Sequence, residues 1–260
     1  MIKSIITKLI FSIIRPEKRI GSSNTLKEIL KLPVIFDLSS FLIQLRFVKR
    51  IIDINSLENK SDHLQEVRNY NYSVTFSKLI TRSRRAEIYY KMSSLIMPDI
   101  SNKKLLIIGP RNVQELYMAW IYGFSWQNIK GIDLYSSHKK IKIMDMHNLD
   151  FKDATFDCVV MSNTLAYAHN TEKVINEVCR VLKPSGVFSF GATYSPGAER
   201  FREAIRDGET IYKILKKERM NIIFHLPQEK INSANRNQTM HHISAQKINQ
   251  NIKFTDSFNL

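Results

Sequence analysis

From Lys103 onward, short apolar runs alternate with segments of helical periodicity. Leu105–Ile108 is an uninterrupted apolar run that Gly109 and Pro110 terminate, which is typical of a strand buried on both faces. Later strands are predicted at 129–133, 141–145, 156–161 and 187–191, and helices at 112–122 and 171–182. This alternation predicts an α/β fold: a doubly wound, mostly parallel sheet with helices on both faces.

The chain before this alternating part is expected to form a basic N-terminal extension over 1–82, helical or irregular. Met1–Ile14 places apolar side chains at helical spacing opposite Lys3 and Lys8, and Pro16 ends the pattern. This segment is shorter than the roughly 20 apolar residues needed to span a bilayer, and it lacks a signal-peptide cleavage site. Two interpretations stay open: the helix lies in the interface of an anionic membrane, or it packs on the core.

The domain itself is expected to cover 83–260, with a recognisable core over 103–193. Ser83–Met97 predicts a helix with a mostly apolar face, which Pro98 and Asp99 close. Lys183–Gly186 predicts a turn between the second helix of the alternating part and the last strand. The segment 32–57 mixes apolar runs with basic residues, and its pattern does not assign it to helix or strand.

Composition adds a preference for anionic partners. The chain of 260 residues has a formal net charge of +15, and its first hundred residues carry the largest share of the excess. A phospholipid surface, a nucleic acid or an acidic glycan would suit such a chain. Part of the excess could instead reflect drift in a composition rich in Lys, Ile and Asn. The two cysteines, Cys158 and Cys179, lie in apolar segments, are too few for a disulfide framework and fit a cytoplasmic location.

Acidic residues follow two of the predicted strands. Asp133 ends the second strand and Asp145 ends the third, while the first strand runs into the turn Gly109–Asn112. In parallel sheets, ligands bind beyond the carboxyl ends of the strands, near the point where strand order reverses. A carboxylate is the natural acceptor for the paired hydroxyls of a ribose. The sequence therefore predicts a nucleoside-like ligand at this edge.

Three segments carry a family resemblance: Asp145–Phe151, Phe156–Asn163 and Asn176–Gly186. They resemble the class I, Rossmann-like S-adenosylmethionine-dependent methyltransferases, in particular the small-molecule branch. The resemblance implies S-adenosylmethionine as cofactor, with Asp133 on the ribose hydroxyls and Asp145 on the adenine amino group. It further implies that the Met146 amide lies near the adenine ring, and that Ser162 and the loop at Gly109 line the methionine side.

The chain departs from the family pattern in two places. Its first strand has no acidic residue, and only Gly109 remains of the usual three loop glycines. Tyr135–Lys140 must cross between the second and third strands as a loop, since the usual helix is missing. Arg111 is expected to compensate by binding the methionyl carboxylate of the cofactor, although a solvent-facing Arg111 is an equal alternative. Asn112 and Glu115 match a capping box, with direct ligand contact as the alternative for Glu115.

Candidate general bases follow the third and fourth strands: His147, Tyr167 and His169. Each has packing as its alternative role, and a base is optional because transfer from a sulfonium depends chiefly on in-line positioning. No metal site is predicted, since His241 and His242 lack a spaced set of partner ligands and are expected to be core or surface residues. The nucleotide signature Gly-x-Gly-x-x-Gly is absent, which argues against a nicotinamide cofactor.

Three functions remain consistent with these residues. The first is methyl transfer to a small-molecule or glycan-linked acceptor by a cytoplasmic protein that contacts an anionic membrane peripherally. The second is RNA methylation, which the charge favours but no recognisable RNA-binding module supports, so that nucleic acid is the weaker partner. The third is a methyltransferase-like binding or regulatory protein without catalysis, which the altered glycine loop favours.

Overall fold

The computed structural model describes residues 24–48, 65–66, 69–70, 73, 84–136, 138–194, 208–231 and 237–249. The amphipathic helix expected over Met1–Ile14 lies outside these residues. The helices are α1 Asn24–Lys31, α2 Pro33–Val48, α3 Arg84–Ile96, α4 Val113–Ile121, α5 Thr171–Val181 and α6 Gly208–Lys217. The strands are β1 Leu105–Ile108, β2 Ile129–Asp133, β3 Ile141–Ile143, β4 Phe156–Met161, β5 Leu182–Tyr194, β6 Met220–Ile231 and β7 Asn237–Lys247.

The seven strands form one sheet in the order β3-β2-β1-β4-β5-β7-β6. Strands β1 to β5 pair in parallel, whereas β7 is antiparallel to both β5 and β6. The strand order reverses between β1 and β4, so the carboxyl ends of β1, β2 and β4 meet at the point where such folds bind ligands. The predicted doubly wound, mostly parallel sheet is confirmed.

Two helices that connect parallel strands, α4 and α5, begin at side-chain caps. Asn112 accepts a hydrogen bond from the Gln114 amide at the start of α4, as the sequence predicts. At the start of α5 the cap is Asn170, which accepts from the Lys173 amide, and Thr171 lies inside the helix. Asn170, and not Thr171, has the extended backbone that a cap requires.

Strand β5 is longer than its apolar pattern predicts. Residues 183–186, predicted as a turn, lie within the strand as an irregularity: Phe156 pairs with Leu182, while Cys158 pairs with Val187. Ser185 has a positive φ of 62°, which bends the backbone locally and lets the extra residues bulge out of the ladder. Antiparallel pairing with β7 extends the strand to Tyr194, a contact that no local pattern could predict.

Each face of the sheet buries its own apolar cluster. One cluster joins α1 to α4 with residues such as Leu26, Tyr117 and Ile107. The other joins α5 and α6 with residues such as Val178 and Ile211. All four residues of β1 are buried, as expected for a strand covered on both faces. This two-sided core holds the carboxyl ends of the strands in fixed relative positions.

Helices α1 and α2 pack directly on the alternating part of the chain. Tyr117 donates from its hydroxyl to Ser39 Oγ at 3.1 Å, and Gln114 Nε2 donates to the Ser40 carbonyl at 3.1 Å. The division into an extension over 1–82 and a domain over 83–260 stays a prediction. These contacts show that part of the predicted extension packs into the same core as the rest of the chain. Within the described residues, no helix has both the length and the apolar character needed to cross a membrane.

Candidate functional site

Asp133 ends β2 and anchors the turn that follows β1. Its Oδ2 accepts a hydrogen bond from the Arg111 amide at 2.9 Å, and its Oδ1 accepts from the Leu134 amide at 2.7 Å. Burial raises the pKa of the Asp133 carboxyl to about 6, although the amide of Arg111 and its positive charge oppose the shift. The Tyr135 amide is a third backbone donor to the same carboxyl, so part of its capacity of about four accepted hydrogen bonds is left for a ligand.

The turn after β1 has a tightly constrained backbone. Gly109 has a φ of 70° and donates from its amide to the Ile132 carbonyl at 2.8 Å. A Cβ on Gly109 would overlap the Thr164 side chain, whose hydroxyl donates to the Ile108 carbonyl at 3.0 Å. Glycine is therefore required here by the chain's own packing, and its predicted contact with a cofactor stays a prediction.

Arg111 also adopts a left-handed backbone, with a φ of 57°. Its amide is used by Asp133, but no hydrogen bond or ion pair joins its guanidinium to any residue in the described part of the chain. Its charge still acts on the neighbouring carboxyl groups of Asp133 and Glu115. Among the described residues, the site thus has one guanidinium whose donors are unused, beside two partly buried acidic groups.

The capping box expected at the start of α4 forms only in part. Asn112 caps the helix, but the Asn112 amide donates to the Pro110 carbonyl at 2.5 Å instead of to Glu115. Glu115 Oε2 is buried and has no hydrogen-bond partner in the described structure. Burial raises the pKa of this carboxyl to about 8 against the opposing charge of Arg111, and Asp133 adds to the increase.

Asp145 follows β3 and forms a buried pair with His147. Asp145 Oδ1 lies 2.7 Å from His147 Nδ1 and accepts the His147 amide at 3.0 Å. The Asn170 amide donates to His147 Nε2 at 3.4 Å, and the His169 ring stacks on the His147 ring with centroids 3.6 Å apart. The structure therefore brings two of the three candidate bases, His147 and His169, together with Asp145.

The segment after β4 lies against the same edge of the sheet. Asn163 has a φ of 68° and its Oδ1 accepts a hydrogen bond from Thr193 Oγ1 at 2.5 Å, which ties this segment to the end of β5. Ser162 and Tyr167 flank it and are partly buried, as is Met146 after β3. The roles predicted for Ser162, Tyr167 and Met146 stay predictions. Thr193 carries no motif, and the sequence contained no signal for it.

The two histidines of β7 belong to the core, as expected, and each has a partner. Tyr89 hydroxyl lies 2.8 Å from His242 Nδ1, and His225 Nε2 lies 2.9 Å from His241 Nδ1. His241 and His242 are 7% and 1% exposed. Among the described residues no group of three or more histidine, cysteine or acidic side chains is arranged to hold a metal ion.

These elements define a Rossmann-like α/β domain with acidic residues at or just after the ends of β2 and β3, and part of it is similar to known proteins. Residues 125–190, which include β2 to β4 and much of β5, match a family model described as a methyltransferase domain. This match agrees with the resemblance of the sequence motifs to the class I S-adenosylmethionine-dependent methyltransferases. The fold is similar to that of Haemonchus contortus phosphoethanolamine N-methyltransferase 2, solved with phosphomonomethylethanolamine and S-adenosylhomocysteine (TM-score 0.50, 15% identity, 64% of this chain and 53% of that chain).

Two curated relatives match short segments of the chain. A sterol 24-C-methyltransferase of Eremothecium gossypii is 49% identical over 45 residues, which are 17% of this chain and 12% of that protein. A sterol 4-C-methyltransferase of Caenorhabditis elegans is 42% identical over 53 residues, or 20% of this chain and 16% of that protein. The matched parts thus span less than a fifth of either relative's length.

Proposed function

We propose that this protein binds S-adenosylmethionine and transfers its methyl group to a small-molecule or glycan-linked acceptor. The observation that carries the proposal is the placement of Asp133 at the end of β2, bonded to the turn that leads into α4, with Asp145 just after the adjacent parallel strand β3. The sterol and phosphoethanolamine methyltransferases among the similar proteins support an acceptor of low molecular weight. Peripheral contact of the basic N-terminal residues with an anionic membrane remains a prediction.

The residues present fit the cofactor. Asp133 would accept a ribose hydroxyl through the acceptor capacity that the amides of Arg111, Leu134 and Tyr135 leave unused. Asp145 and the Met146 amide would contact the adenine, and Gly109 and Ser162 would border the methionyl chain. When bound, the cofactor supplies an activated methyl group on a sulfonium. The chain's own task is then to orient an acceptor atom in line with that group.

The contacts of His147 give it a different role from the other two candidate bases. An ionised Asp145 requires His147 to carry its proton on Nδ1, and the Asn170 amide then occupies the lone pair of Nε2. We therefore assign His147 a positioning role, in which it orients Asp145 and the segment at 169–170. Tyr167 and His169 remain the candidates for accepting a proton from the acceptor.

The affinity for S-adenosylhomocysteine, the product form of the cofactor, should fall as the pH is lowered below about 6. Because the pKa of Asp133 is about 6 and only the ionised carboxylate is a strong acceptor for ribose hydroxyls, protonation competes with binding as the pH falls through 6. We expect calorimetry with S-adenosylhomocysteine to show up to about a tenfold loss of affinity for each pH unit below 6. Asp133→Asn should bind weakly throughout and lack this step. A step of the same size in Asp133→Asn would assign the titration to another group.

Arg111 should contribute to binding the carboxylate of the cofactor's amino-acid end. Arg111→Ala removes the charge, and Arg111→Lys keeps it but loses the two-pronged donor geometry. We expect both variants to bind S-adenosylhomocysteine more weakly, by about 10–150-fold for Ala, and less for Lys, with unchanged circular dichroism. Unchanged affinity in Arg111→Ala would leave the altered loop unexplained and favour a protein without catalysis.

A further inference from the structure

Glu115 is the third residue of α4 and lacks the role its position suggests. In a capping box Glu115 would accept a hydrogen bond from the Asn112 amide, but that amide donates to the Pro110 carbonyl. Oε2 of Glu115 is buried without a partner among the described residues. A buried carboxyl oxygen that makes no hydrogen bond destabilises the fold, and more so if the group is charged. Such a group in a folded protein calls for a ligand or another specific explanation.

The charges around Glu115 indicate what kind of ligand it would bind. Arg111 and Asp133 are close enough to act on its pKa, and Glu115 in turn raises the pKa of Tyr90, whose hydroxyl donates to the Glu115 carbonyl at 3.3 Å. The positive charge of Arg111 lowers the pKa of Glu115, yet the Arg111 guanidinium makes no hydrogen bond or ion pair with Glu115. Among the described residues, neither the buried Oε2 of Glu115 nor the nearby Arg111 guanidinium has a hydrogen-bond partner, and together they are complementary to a group that carries both charges.

We infer that Glu115 accepts the ammonium of the cofactor's amino-acid end, while Arg111 binds the carboxylate of the same end. This inference rests on the proposed function and deepens it. The turn between β1 and α4 contains a single glycine, Gly109, which limits how closely the backbone can approach a ligand there. An acidic and a basic side chain, one on α4 and one just before it, would provide the two contacts instead.

The test compares two ligands that differ only in the inferred contact region. S-adenosylhomocysteine has the amino-acid end, and 5′-methylthioadenosine has the nucleoside and thioether without it. In calorimetry at pH 8, Glu115→Gln should weaken S-adenosylhomocysteine binding about 10–150-fold and change methylthioadenosine binding less than twofold. Glu87→Gln is the matched control, because Glu87 is a partly buried glutamate bonded to Tyr122 and Lys91, and it should leave both affinities unchanged.

A second measurement uses the wild-type protein and does not depend on the folding of a variant. With a pKa of about 8, Glu115 is mostly protonated at pH 7, and an arriving ammonium lowers that pKa. Calorimetry at pH 7 in buffers of different ionisation enthalpy should therefore show release of close to one more proton with S-adenosylhomocysteine than with methylthioadenosine. Glu115→Gln should abolish this difference.

The possible results separate this inference from the proposed function. Equal losses for both ligands in Glu115→Gln, or equal proton release with both ligands, would overturn the role of Glu115 and leave cofactor binding intact. Unchanged affinity in Glu115→Gln would likewise overturn it. If wild-type protein bound neither ligand at millimolar concentration, the proposed function itself would be wrong.

Discussion

Asp133→Ala should weaken the binding of S-adenosylhomocysteine by about 10–150-fold, because a charge-assisted hydrogen bond in a buried site contributes about 1.5–3 kcal/mol. Asp133 is the acidic residue at the end of β2, and its carboxylate is oriented by the amides of Arg111 and Leu134. The loss should appear with methylthioadenosine as well, since both ligands have the ribose. Loss of affinity for both ligands distinguishes Asp133 from Arg111 and Glu115, whose variants should affect only the ligand with the amino-acid end.

The structural role of Asp133 requires a control. Losing the Arg111 amide contact could loosen the turn after β1, so binding must be compared with the thermal transition of each variant. Asp133→Asn keeps one acceptor for the turn and loses the charge. Equal affinities of wild type and Asp133→Ala for both ligands would contradict the assignment of Asp133 to the ribose.

Gly109→Ala should be the most damaging single substitution for the fold near the site. The residue has a φ of 70°, and a Cβ would overlap the Thr164 side chain. We expect the free energy of unfolding to fall by about 2–4 kcal/mol, combining the cost of a left-handed backbone with that of overpacking. Chemical denaturation of the two proteins measures this difference.

A double variant separates the two contributions. Gly109→Ala combined with Thr164→Ala removes most of the overlapping atoms and should recover the steric part of the loss, while the backbone part remains. Gly131→Ala is a milder comparison, because its Cβ would lie 3.1 Å from Pro110 Cγ and 3.2 Å from Ile141 Cγ1. If Gly109→Ala unfolded no more easily than Gly131→Ala, Thr164 would not constrain the turn.

Much of the fold could be predicted because it depends on local pattern. Apolar runs of four to six residues between helical segments allow few arrangements other than a parallel sheet, and the observed β1, β2 and β4 coincide with the predicted strands. The acidic residues at 133 and 145 could be placed at one edge for the same reason, since parallel strands end on the same side. β5 was predicted too short, because its last residues depend on pairing with β7.

The sequence by itself determined the order of strands and helices, the acidic residues at the strand ends and the methyltransferase motifs, because each is encoded by neighbouring residues. Only the tertiary structure decided which side chains are left without partners. Thr164 meets Gly109 and His147 meets Asn170 across turns that come together only when the sheet forms. Glu115 reads as a helix cap in sequence, but the folded turn gives the capped amide to Pro110 and buries the carboxyl beside Arg111. Burial and long-range contacts depend on residues far apart in the chain, so no local pattern predicts them. They are the reason why Glu115 is a candidate ligand-binding group and not a helix cap.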